Sequence, residues 1–86
     1  MITKLDILGM CDLELDEIDA IAEHEGIPEV AAAALGDHLL HQAHGAESVR
    51  DMIVDDIRSA MGRHDAAHAA SLAQALQHFL VAHPCA

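Results

Sequence analysis

An all-α domain, folded as a small up-down helical bundle of about four helices, is what this sequence predicts, and three observations carry that expectation. Hydrophobic residues fill 52% of the 86 positions, yet the chain has no tryptophan, no tyrosine and a single phenylalanine. Its apolar content comes from alanine, leucine, isoleucine and valine, which suit helices packed through small side chains better than a sandwich or barrel. Apolar residues also recur at three- and four-residue spacing in four stretches, and glycine or proline stands at the junctions between them. A chain of this length forms one domain, residues 1–86, and buries only about 60–65% of its unfolded surface. So small a core predicts self-association, most simply as a homodimer that completes the core against a second copy.

The first helix has Asp12 or Asp16 as its N-cap. Leu15, Ile18, Ile21 and Ala22 form its apolar stripe, and Gly26 is placed to take the left-handed conformation that ends it. Pro28 announces the second helix, which is expected to run to Gly45 with Ala31, Leu35, Leu39 and Gln42 as its stripe. In the third, Ser48 and Asp51 suggest a capping box, Val49, Met52, Ile53, Ile57 and Ala60 the buried side, and Gly62 the end. The fourth starts at Asp65 and runs to about His83 before Pro84, burying Ala69, Leu72, Ala73, Leu76, Phe79 and Leu80. Connections of two to five residues make neighbouring helices roughly antiparallel. Residues 1–11 read as a helical turn capped by Thr3, a strand pairing across a dimer, or a frayed arm.

Charge narrows the range of functions. Fifteen acidic residues against four Lys and Arg give a formal net charge of −11, a surface that repels phosphate backbones and anionic headgroups. Direct nucleic-acid and membrane binding are therefore not expected. Protonation of all eight histidines would bring the formal charge to −3, so mild acid nearly discharges the protein. Lys4 and Asp6 interrupt what would have to be the apolar part of a signal peptide, Met10 is too large for a lipoprotein cleavage site before Cys11, and no apolar run reaches transmembrane length. The expectation is a cytoplasmic protein with Cys11 and Cys85 as reduced thiols.

Templates for catalysis are missing. The chain has no glycine-rich phosphate loop, no nucleophile elbow, no C-x-x-C and no H-E-x-x-H. It also lacks the Glu-x-x-His motifs of di-iron bundles, Asp65 with His68 being the nearest analogue. No calcium loop of Asp-x-Asp-x-Asp-Gly type occurs. These absences point to a non-enzymatic protein, and two regions suggest how it acts.

The first region is "DLELDEIDAIAEHEG", which surrounds a thin apolar stripe with Asp12, Glu14, Asp16, Glu17, Asp19, Glu23 and Glu25. Such a helix suits docking on a protein partner with a basic surface, with Asp16, Glu17, Asp19 and Glu23 as the contact residues; an ordinary solvated helix has the same pattern. The second region is "DHLLHQAH". On a continuous helix Asp37, His41 and His44 fall within an arc of about 60°, and His38 lies at its edge. One carboxylate with neutral imidazoles one turn apart is a donor set for a divalent transition metal (Zn, Ni or Cu), whereas the competing reading is the wet back of an amphipathic helix with no cofactor at all. His64 and His68 form a second, less regular pair. Asp56 falls on the apolar stripe of the third helix, where it either pairs with His68, His83 or an arginine across a dimer, or sits at the rim and reaches water. His83, in line with Leu72, Leu76 and Leu80, reads as a packed histidine at a helix end.

Overall fold

The computed structural model describes residues 13–84 and 86, which contain four α-helices and no strand. Cys11, Cys85 and the expectations for residues 1–11 lie outside the described residues. The helices are α1 (Leu15–Glu25), α2 (Glu29–Leu40), α3 (Gly45–Gly62) and α4 (Ala66–Ala82). They form a slab of 34 × 32 × 19 Å in which α1 touches all three other helices and the pair α3 and α4 shares the most extensive contact. Among the described residues no helix is long and apolar enough to cross a membrane.

The core is built from Ile18 and Ile21 of α1, Ala32 and Ala33 of α2, Val49, Ile53 and Ala60 of α3, and Leu72, Ala75 and Phe79 of α4, with Leu13 leading in from the amino-terminal side. The single aromatic residue is fully enclosed, and its ring meets that of His83 at 4.5 Å between centroids. The stripe expected for α3 matches, apart from buried Asp56; in α1, Ile18, Ile21 and Ala22 pack as expected, while Ala20 and Glu17 are buried and Leu15 is only half-buried. That of α2 is turned by a residue: Ala31 is exposed, and Ala32, Ala33 and Gly36 are inside. Residues 30–35 of α2 are apolar all round, so periodicity offers no contrast from which to choose a face. On α4, Ala73 is exposed and Ala75 takes its place.

Boundaries depart from expectation in three places. Glu14, in an extended conformation, is the N-cap of α1 in place of Asp16, and its N–H donates to the Glu17 carboxylate at 3.3 Å; Asp12 lies outside the described residues. Helix α2 ends at Leu40, five residues before Gly45, because the first residue of α3 is seated on the last turn of α2. A Cβ on Gly45 would run into the backbone carbonyl of Leu39. Helix α3 accordingly starts at Gly45, one turn ahead of the expected Ser48 cap, with His44 before it at φ 61°. Two ends follow the sequence closely: Gly26 adopts φ 67° and its N–H donates to Ala22 O at 2.8 Å, and the Asp65 carboxylate accepts the His68 N–H at 3.1 Å to cap α4.

Candidate functional site

Helix α1 has only 11 residues, too few to be stable alone in water, and its mean hydropathy is low. Its position depends on what it buries. Ile18, Ala20 and Ile21 face the core, and Asp16 and Glu17 in the first turn complement the positive end of the helix dipole. The charged and histidine side chains left outside form imidazole–carboxylate contacts with the neighbouring helices, in both directions. His24 Nε2 of α1 lies 3.3 Å from Asp55 Oδ2 of α3. His68 of α4 makes a short contact with Glu23, and His78 Nδ1 of α4 lies 3.2 Å from Asp16 Oδ2 and 3.5 Å from Glu14 Oε2. Three histidines, through four imidazole–carboxylate contacts, thus tie α1 and its N-cap to α3 and α4.

Between α1 and α4 runs an open groove of about 160 Å³. Asp16, Asp19 and Glu23 line the α1 side, His68 and Ser71 the α4 side, and Ala20, Leu72 and Ala75 contribute apolar lining. Three of the four residues expected to contact a partner are therefore gathered on one groove. The fourth is corrected. Glu17 is 1% exposed, turned inward among core side chains, and cannot meet a partner in this conformation. Burial pushes its carboxyl up to about 7, Asp16 and Glu14 add to the rise, and the Glu14 N–H and the nearby His78 oppose it.

Asp56 is also corrected: it does not sit at a rim in water but is 4% exposed on the inner face of α3, with Oδ2 buried and without a hydrogen bond. Burial, reinforced by Glu23 and Asp55, raises its carboxyl to about 6 against the opposing pull of His24 and His68. The sequence placed Asp56 on the stripe correctly, and the surrounding helices close over it.

The donor set Asp37, His41 and His44, with His38, is not assembled. The shared face needed an unbroken helix to residue 44, and α2 stops at Leu40. His41 is its C-cap, with Nδ1 2.7 Å from the Asp37 backbone oxygen and 3.9 Å from its carboxylate. His44 stands at the entrance to α3 and turns to Glu47, 3.3 Å away, while His38 is exposed on the last turn of α2. His64, with φ 59° in the turn before α4, is likewise directed by the turn and not by a helical face shared with His68.

One group that the sequence did not single out does converge. Among the described residues, Glu14, Asp16 and His78 bring one ligand atom each within 4.8 Å of one another. Sixty-two positions separate Asp16 from His78, and no local spacing signals the meeting of α1 and α4. Comparison with protein-family models, with curated proteins and with solved structures returned no match, so a functional reading rests on the chain's own residues.

Proposed function

We propose that this is a non-enzymatic interaction protein, of adaptor, regulator or inhibitor type, that receives a basic segment of a protein partner in the groove between α1 and α4. The observation that supports the reading is the composition of that groove. Carboxylates at Asp16, Asp19 and Glu23 follow one wall, and the buried side chains of Ala20, Leu72 and Ala75 form a narrow apolar floor beneath them. A lysine or arginine has the same division, an apolar stem and a cationic head. In a chain of net charge −11 the surrounding field also speeds the approach of a basic partner. Self-association belongs to the same proposal: Met61 and Val81 are 63% and 80% exposed, and a second copy is the simplest cover for them.

A short lysine- and arginine-containing peptide tests the docking. In an NMR titration, shifts should concentrate at Asp19, Ala20, Glu23, Leu72 and Ala75, weaken with added salt, and disappear in the Asp19→Lys, Glu23→Lys double variant while helicity is retained. Shifts spread evenly over all acidic positions, or unaffected by the double variant, would refute the groove as the docking site.

A further inference from the structure

We propose that Glu14, Asp16 and His78 form a binding site for one divalent transition-metal ion, joining the start of α1 to α4. The proposal is independent of the docking reading, although Asp16 belongs to both arrangements. Ions of this class bind imidazole nitrogen and carboxylate oxygen at about 2.0–2.2 Å, which sets neighbouring donors about 2.9–3.5 Å apart at octahedral or tetrahedral angles. His78 Nδ1 lies 3.2 Å from Asp16 Oδ2 and 3.5 Å from Glu14 Oε2, both compatible with such edges, and all three donor atoms lie within 4.8 Å of one another, so small side-chain shifts would close them round one ion.

Hydrogen bonding alone accounts for less of this arrangement. Nδ1 of an imidazole carries at most one proton, and here two carboxylate oxygens converge on that one nitrogen. A dication centred among the three donors satisfies all of them and offsets negative charge where the chain has an excess of it. Asp16 is also oriented for the role: its Oδ1 accepts the Glu17 N–H at 2.9 Å, which directs Oδ2 toward His78 in the way that outer hydrogen bonds aim metal ligands. The donors come from two elements distant in sequence, an extended N-cap residue and first turn on one side and a helix face on the other. The side chains are 69%, 40% and 44% exposed for Glu14, Asp16 and His78, so the remaining coordination positions face solvent and fill with water. One nitrogen and two carboxylate oxygens select zinc, manganese or cobalt over the soft copper(I) ion, and the open geometry corresponds to moderate affinity.

Calorimetric titration with Zn²⁺ at pH 7.5, on tag-free full-length protein, tests the site. One ion per chain is expected, with affinity lowered about tenfold or more in His78→Ala and unchanged in His41→Ala. Substoichiometric Mn²⁺ added to the unaltered protein should broaden amide signals first around Glu14, Asp16 and His78, a readout that does not depend on any variant folding. Failure to bind one ion, broadening spread over the acidic surface or centred on residues 37–44, or an affinity that falls in His41→Ala as much as in His78→Ala would each overturn the proposal.

Discussion

Stability should rise as the pH falls from 8 to 5, the reverse of the usual response of a protein whose carboxylates are paired. The cause is Glu17. Its carboxyl is 1% exposed, and burial moves it from 4.5 to about 7. The folded protein therefore takes up a proton in a range where the unfolded chain still holds a carboxylate. The stabilisation is complete below pH 4.5, diminishes as the pH rises through about 7, and is lost above it. At about 1.4 kcal/mol for each of the roughly 2.5 pH units between the two values, the difference between the ends of the window is at most about 3.5 kcal/mol. Asp56, raised from 3.8 to about 6, adds to the slope in the lower half of the same window. Against a total stability of about 5–10 kcal/mol for a domain this small, the change is large. Urea unfolding followed by circular dichroism should give a higher midpoint at pH 5 than at pH 8 with an unchanged m-value. In Glu17→Gln, a neutral side chain of the same shape still able to accept the Glu14 N–H, the slope should flatten because the pH 8 midpoint rises, with little change at pH 5. A flat profile in the unaltered protein, or a Glu17→Gln variant less stable than it at pH 8, would refute the reasoning.

Two substitutions at the turn between α2 and α3 should act in opposite directions. Gly45→Ala forces a methyl group against the Leu39 carbonyl and should cost about 2 kcal/mol or more, read as a fall in urea midpoint, since neither backbone can withdraw without unseating a helix end. His44→Gly removes a side chain from a left-handed residue at φ 61° and should raise stability by about 1 kcal/mol, provided the contact with Glu47 on the surface contributes as little as exposed pairs generally do.

The parts of the fold that could be read in the sequence are those governed by local chemistry. Gly26 ends α1 because a left-handed residue is needed there, and Asp65 caps α4 because its short carboxylate reaches the N–H of the third residue on. The end of α2 had no such sign. It is fixed by Gly45 packing on Leu39, a contact between two backbones that leaves no periodic trace, and a shared face for Asp37, His41 and His44 exists only if the helix passes that boundary. Asp56 was recognised as out of place on its stripe, but whether water reached it depended on how α1 and α4 close over α3. The gathering of Asp16, Asp19 and Glu23 follows from helical spacing and was legible. Glu17, between them, differs by one residue in position and by a full change of environment, which a stripe only a few residues wide cannot resolve.

The histidines make sense once α1 is taken as the element that needs support. An acidic helix of 11 residues repels itself and has a narrow apolar face, so it requires both a core to cover Ile18 and Ile21 and donors that reduce the repulsion. Lysine or arginine at those positions would supply full charge at every pH and would also fill the groove beside them. Histidine supplies hydrogen-bond donors when neutral and charge when protonated, in a side chain short enough to leave the groove open. The contacts across α1 lie at its start, through His78, and near its end, through His24 and His68, so they anchor both ends of the helix. On this reasoning the acidic surface and the histidine content are one arrangement, in which both ends of α1 are held by imidazole–carboxylate contacts.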